Sequence, residues 1–361
     1  MNTINTPRLE IDLDKIRHNT SGLIHRFQDL GISITGVTKA SLGSPEIARA
    51  MLSGGVKAIG DSRIENIQRM KNAGINAPFI LLRSPQISRV DDVVRFADIS
   101  LNSELAVIEQ LSAAAQRLGK RHRIILMVEL GDLREGISPL DIDNFVDKCL
   151  KFSHLDIEGI GTNLTCFSGV KPDDRNMAKL GAIADRLQTR FGLNLVTISG
   201  GNSATLNWLF NTRSQIKFNN LRLGESILLG RETLYQESIT DLHQDAITLV
   251  TSVIESQVKP SMPRGDMVKN AFGVKPVFEQ RGDMLRCILD VGQQDVQLDG
   301  IQSLNPNISI VGASSDHLVV DASLSPLSVG SELKFSLNYA ALLAAMTSPF
   351  VKRLYLGKTD P

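Results

Sequence analysis

Ile34-Thr-Gly-Val-Thr-Lys39, Pro45-Glu-Ile-Ala-Arg-Ala-Met51 and Val56-Lys-Ala-Ile-Gly-Asp61 follow one another with only short connections. The first and third stretches are short and rich in apolar and β-branched residues, as buried strands are. The second spaces its apolar residues three and four apart, as a helix does. The same alternation runs on down the chain. Strand-like runs recur at Phe79–Leu82, Ile99–Asn102, Ile124–Leu130, Ile157–Leu164, Leu195–Ser199 and Ile216–Leu223. Helical spacing recurs at Ile64–Met70, Ser103–Leu118, Leu140–Leu150 and Asp174–Thr189. Ser44 before Pro45 and Ser138 before Pro139 read as helix caps, because proline in a first turn gives up only an N–H that has no partner there. Eight strands alternating with helices predict an α/β fold, a parallel (β/α)8 TIM-type barrel, with an extra helix over about Leu13–Leu30 before its first strand. An open doubly wound sheet alternates in the same way and is the competing architecture.

After about Thr233 the helical spacing fades. β-like runs appear at Ala246–Ile254, Leu285–Val291, Ile308–Val311, Leu318–Val320 and Glu332–Phe335, separated by Pro260, Gly265, Gly273, Gly282, Gly300 and Pro306. They predict a mainly antiparallel β domain, with a last helix over Tyr339–Met346. The expected division is a barrel over 10–234 and a β domain over 235–361, to which residues 1–9 and the run Leu9–Asp12 add a strand. A chain of 361 residues is long enough for two such cores.

The bulk composition narrows the function classes. Lys plus Arg number 39 and Asp plus Glu number 39, so no net field draws the chain to nucleic acid or to an anionic membrane. No apolar run approaches membrane-spanning length, and the first residues carry no apolar signal core. Cys149, Cys166 and Cys287 are odd in number and lack CxxC spacing. They suggest neither a disulfide framework nor a metal site, and suit a reducing, cytoplasmic location.

In a barrel of this kind the chemistry sits where strands end at the C-terminal face. That rule selects Lys39 after strand one, Arg134 in Gly131–Gly136 after strand five, Asn163 after strand six, Ser199-Gly-Gly-Asn-Ser203 after strand seven and Arg222-Leu-Gly-Glu-Ser226 after strand eight. The glycine-containing loops after strands seven and eight are the usual phosphate site of such barrels, where backbone N–H groups and the Ser203 hydroxyl face an anion. The plainer alternative is a pair of tight turns. A partly buried Lys39 holds more free amine for imine chemistry, although most lysines at strand ends simply reach water. Arg222 could equally form an ion pair with Glu225 or Glu232.

Taken in order, these segments resemble the alanine racemase superfamily of fold-type III pyridoxal phosphate (PLP) enzymes, over nearly the whole chain. Val37-Thr-Lys39-Ala resembles the family's cofactor-lysine motif. Gly131-Asp-Leu-Arg134-Glu-Gly136 resembles the segment whose arginine serves the substrate carboxylate and the second catalytic group. Gly161-Thr-Asn163 matches a segment that usually carries histidine in third place. Asn202-Ser203-Ala204 resembles the phosphate-binding serine motif, and Arg222-Leu-Gly224-Glu225 the pyridine-nitrogen arginine with its phosphate-binding amides. Lys352-Arg-Leu-Tyr355 resembles the C-terminus, whose tyrosine touches phosphate. Val37–Gly43, Asp61–Asn66, Gly292–Asp295 and Gly312–His317 look nearer still to the ornithine racemase branch.

The resemblance implies a PLP-dependent amino-acid racemase without a metal. Lys39 would hold PLP as a Schiff base and, released by the substrate's own imine, take the Cα proton on one face. It also implies a head-to-tail homodimer. An arginine that keeps its proton leaves the cofactor ring nitrogen unprotonated, which restrains side reactions. The chain departs from the family in several places. Ser41-Leu-Gly43 replaces a tyrosine-bearing loop, Met127 stands where a carbamylated lysine is common, and Gln293 stands in place of the second acid/base tyrosine. Cys166, Ser314 and His317 are the candidate replacements, Ser314, Ser315 and Asp316 are candidate substrate contacts, and a single-base mechanism stays open. Asp295 or Asp316 could pair with the distal ammonium of ornithine or lysine; the alternative is that both cap turns. Alanine is a further candidate substrate. A PLP-binding homeostasis protein, a metal-assisted PLP aldolase and a PLP-free Schiff-base aldolase are the competing readings.

Overall fold

The computed structural model describes residues 5–357. By contacts the chain divides into two compact units: Leu13–Gln244, and Asp245–Leu356 together with the strand β1, Arg8–Asp12. The first unit opens with helix α1, Leu13–Phe27. A closed eight-stranded parallel barrel follows. Its strands are β2 (Ser33–Val37), β3 (Ala58–Asp61), β4 (Phe79–Leu81), β5 (Ile99–Asn102), β6 (His122–Met127), β7 (Leu155–Gly161), β8 (Thr197–Ser199) and β9 (Asn220–Leu223). The ring closes where β2 pairs with β9, in the register Ser33 to Asn220 and Gly36 to Leu223. The barrel is thus the architecture, and the open sheet is excluded. All four residues of β5 and of β9 are buried, and their polar side chains, Ser100, Asn102, Asn220 and Arg222, are each hydrogen-bonded inside.

The outer helices are α2 (Pro45–Ser53), α3 (Ile64–Asn72), α4 (Val90–Phe96), α5 (Leu105–Arg117), α6 (Ile142–Cys149), α7 (Asp174–Phe191), α8 (Thr205–Asn211) and α9 (Glu225–Leu229). Ser44 does cap α2, its Oγ accepting the Ile47 N–H at 3.3 Å. Ser138 caps no helix: it closes a local turn by accepting the Leu140 N–H, and α6 starts only at Ile142. A reciprocal Asp173–Asn176 capping box starts α7, which ends on Gly192 at φ +65°. Several barrel strands are shorter than their apolar runs. In particular β2 stops at Val37, and Lys39 lies beyond it in a 3-10 turn, Lys39–Ser41.

The first unit runs to Gln244 rather than to 234. Asn19 of α1 explains this, because its side chain donates to the Ile227 and His243 carbonyls and accepts the His243 N–H, while the Ile239 N–H bonds Gly230 O. The second unit contains β10 (Ile247–Pro260), β11 (Asp283–Leu289), β12 (Ile301–Ser303), β13 (Ser309–Ala313), β14 (Leu318–Asp321), β15 (Glu332–Leu337), helix α10 (Tyr339–Thr347) and β16 (Lys352–Leu356). Its main path runs β12-β15-β10-β11-β14-β13, all antiparallel; β1 joins β10 antiparallel and β16 parallel. A register shift between Val253 and Glu255 bends the long β10, so that its first half pairs with β1 and β15 and its second with β11. No helix among the described residues is long and apolar enough to cross a membrane.

Candidate active site

The turn bearing Lys39 is fixed from beneath. Thr38 Oγ1 donates to Asp61 Oδ2 at 2.8 Å, and Asp61 Oδ1 accepts the Asn66 side-chain amide at 3.0 Å and the Arg63 N–H at 2.9 Å. Asp61 is wholly buried, and burial raises its pKa despite these donors. Ser41 Oγ caps Thr38 O, and the chain leaves the turn through Leu42 at φ +53°. A leucine tolerates that conformation only where neighbours impose it. Lys39, partly buried, thereby lines a cavity of about 430 Å³.

Arg134, Glu135, Asn163, Cys166, Asn202 and Arg222 line the same cavity, with Arg83, Ser62 and Ser84 also on its wall. Arg222 is buried, and its donors go to Ser199 Oγ, to Thr162 O at 2.8 Å and to Asn163 Oδ1 at 3.5 Å. All three acceptors are neutral. The alternative ion pair is not formed: Glu225 accepts from Thr233 Oγ1 and Gln236 Nε2, and Glu232 from the backbone N–H groups of Leu234, Tyr235 and Glu237. Burial pushes the Arg222 pKa down to about 10, which still leaves it charged at neutral pH. Asn163 holds Asn202 Nδ2 at 3.0 Å through Oδ1, but its own buried Nδ2 has no partner among the described residues. A buried amide donor left over beside a buried cation is what a bound acceptor would satisfy.

Ser203 and Ser226 join the loops after β8 and β9. Their hydroxyls lie 3.1 Å apart, and the Ser226 N–H reaches Ser203 Oγ at 3.3 Å. Gly201, at φ +115°, makes the turn that brings Ser203 there. Gly224 lies against Val37, and the Glu225 carboxylate is turned away to Thr233 and Gln236, its pKa raised by burial. Glu225 can therefore offer a ligand its backbone but not its side chain.

Arg134 and Glu135 sit on a loop with a locked base. Glu129 N bonds Ile137 O at 3.0 Å, and Gly136, at φ +146°, packs so closely that a Cβ there would stand 2.6 Å from Glu129 N. Leu133 at φ +54° reverses the chain at the tip. Asp132 is buried and accepts the Phe167 and Ser168 N–H groups, at 3.1 and 3.0 Å, while Ser168 Oγ donates to Asp132 O. This clamp ties the Arg134 loop to the loop carrying Cys166. The Arg134 guanidinium pairs with the Glu135 carboxylate, which holds it protonated, and also interacts with Cys166. Asn202 Nδ2 donates to Cys166 Sγ at 3.3 Å. Ser199, Asn202, Asp132 and Ser226 stand inside the strand-end motifs, but sequence reasoning assigned them no individual role. Arg83 and Ser84 line the cavity from outside every motif.

Ser314, Ser315, Asp316 and His317 form the β13–β14 turn of the second unit. Ser314 Oγ donates to Asp316 Oδ1, His317 Nδ1 lies 3.0 Å from Asp316, and the Gln293 and Gln294 N–H groups bond Ser314 O and Ser315 O. Two segments singled out by resemblance, Gly292–Asp295 and Gly312–His317, thus lie against each other. Asp295 is buried, takes Ser348 Oγ at 2.7 Å and closes the turn with Gly292 N. It is a turn-closing residue, not an exposed partner for an ammonium. Tyr355 stands in β16 opposite Ile11 of β1.

Residues 11–232 match the family described as alanine racemase, N-terminal domain. The ornithine racemase of Acetoanaerobium sticklandii is 39% identical over 350 residues, which is 96% of this chain and 99% of that protein. The lysine racemase of Thermotoga maritima is 36% identical over 350 residues, 97% of this chain and 98% of that one. Among solved structures, the alanine racemase of Streptomyces coelicolor A3(2) superposes with a TM-score of 0.77 at 18% identity, covering 97% of this chain and 98% of that one, a likeness of fold. With the barrel, the lysine turn and near-complete coverage of these relatives in hand, the chain belongs to the alanine racemase family.

Proposed function

We propose that this protein is a PLP-dependent racemase of cationic amino acids, ornithine and lysine foremost, with alanine a poorer substrate. The observation that carries the reading is the gathering of Lys39, Arg134, Asn163, Cys166 and Arg222 on one cavity, where a buried arginine meets only neutral acceptors and a buried amide donor is left over. Lys39 would hold the cofactor covalently through Nζ. Arg222 and Asn163 would face its ring, and Ser203 with the backbone of Gly224 and Glu225 its phosphate. Tyr355 is added to the phosphate site on the family resemblance alone. When bound, the cofactor withdraws electrons from the substrate's Cα–H bond and so lowers the cost of removing that proton.

The residues' own work then divides by face. Lys39 Nζ, freed when the substrate amine takes its place on the cofactor, takes the Cα proton on one side, and Cys166 Sγ, on the lining of the same cavity, is the group proposed to return one to the other. Arg134 holds the substrate carboxylate. Arg222 stays protonated and so supplies a hydrogen bond without giving up its proton. Asp316 holds His317 by its carboxylate, which makes His317 the second choice for the returning acid. Ser314 and Ser315 remain candidate substrate contacts, and a cytoplasmic head-to-tail homodimer is part of the same proposal. The β unit and the full-length likeness to racemases favour this reading over a single-domain PLP carrier or an aldolase. Borohydride reduction of the PLP-loaded protein, followed by peptide mapping, tests it. A stable pyridoxyl label on Lys39 is expected, and a label on another lysine, or none, would contradict it.

A further inference from the structure

The charges around the cavity do not suit a cationic side chain. Lys39, Arg83, Arg134 and Arg222 stand on its wall against a single carboxylate, Glu135. A phosphate and a substrate carboxylate account for most of that positive charge, but a distal ammonium would be repelled unless a carboxylate met it. Four further carboxylates on or beside these loops are committed. Asp61 serves Thr38 and Asn66, Asp132 serves two backbone N–H groups, Glu129 takes the Gly131 N–H, and Glu225 serves Thr233 and Gln236. Glu135, three-quarters buried, bonds only the neighbouring Arg134 among the described residues.

We propose that Glu135 is the specificity-determining residue that receives the distal ammonium of a dibasic amino acid, in exchange for its pairing with Arg134. The proposal rests on the racemase reading and deepens it. Arg134 and Glu135 are adjacent, on a loop held by the Asp132 clamp and the Glu129–Ile137 closure, so they present opposite charges side by side. A substrate with a carboxylate and a distal ammonium gives each of them a partner when it parts them. A neutral amino acid takes Arg134 and leaves Glu135 desolvated and unpaired, which is a penalty against the wrong substrate as well as a reward for the right one.

The test compares ornithine with norleucine, which replaces the ammonium by a methyl group, in the unsubstituted protein, Glu135→Gln and Glu135→Asp. Each variant is first checked by thermal unfolding. Glu135→Gln is expected to lower the ornithine-to-norleucine ratio of kcat/KM about tenfold or more, mainly through KM for ornithine, and Glu135→Asp to restore part of it. An equal loss on both substrates would overturn the proposal, because it would mean that Glu135 only positions Arg134. Calorimetric binding of the two amino acids to the PLP-loaded protein reads the same preference whether or not D-product forms. A protein that binds ornithine in a Glu135-dependent way but forms no D-product would sink the racemase reading and keep this one; binding indifferent to Glu135→Gln would sink this one.

Discussion

Inside the barrel, Ile80, Ile99, Leu101, Ile125 and Met127 pack into one apolar layer with Ala58 and Leu82, whereas beyond the strand ends the chain sets Lys39, Arg134 and Arg222 around a cavity. Leu82 and Leu101 belong to both levels, packed with the apolar layer and lining the cavity. The lower level is held by interchangeable contacts, each weak and all additive. The upper level is held by particular hydrogen bonds, Asp61 under the Lys39 turn and Asp132 between two loops. Met127 belongs wholly to the lower level, buried where the family resemblance suggested a modified lysine. The difference means that damage below should cost stability, and damage above should cost chemistry.

The largest expected effect is below. Ile125→Ala should destabilise the protein by about 2–5 kcal/mol, read from denaturant unfolding, because it opens a cavity in a layer that cannot collapse. A loss confined to activity would break the distinction between the levels. His122, at the start of β6, sharpens it. Its ring is buried against Ser100 Oγ at 2.8 Å, and burial lowers its pKa to about 4 from 6.5. Between those values the unfolded chain takes up a proton that the native chain refuses. Stability should therefore be full above about pH 6.5 and fall by about 2–3 kcal/mol as pH drops toward 4. His122→Gln should flatten that part of the pH profile.

Above, Asp132→Asn should cost about ten- to a hundredfold in kcat/KM with little change in unfolding, since it loosens Arg134 and Cys166 without removing either. A matching collapse of stability would show the clamp to be a folding element. Ser203→Ala should have the smallest effect, about tenfold weaker PLP binding by titration, because one neutral hydroxyl is lost.

The level that was legible in the sequence is mostly the lower one. Runs such as Ile34–Val37 and Ile99–Asn102 announce buried strands because both faces are covered, and Lys39, Arg134, Asn163 and Arg222 follow from asking what stands at their ends. Short helices escaped, since seven residues at Val90–Phe96 or Thr205–Asn211 and five at Glu225–Leu229 carry too few turns for a period. β12 and β16 escaped because pairing partners, not composition, make them strands. The committed carboxylates were unreadable for another reason. Asp295 looks like any turn aspartate until Ser348, far along the chain, is seen to fill it. Asp132 looks like a loop residue until the Phe167 and Ser168 N–H groups are seen on it.

The most direct test of the whole account is chiral chromatography after incubating the PLP-loaded protein with L-ornithine and L-lysine separately, beside Lys39→Ala. The account predicts that each L-substrate moves toward an equal mixture of L and D forms, and that Lys39→Ala abolishes it. Products that stay wholly L with correctly loaded protein, or D-product that survives Lys39→Ala, would contradict it.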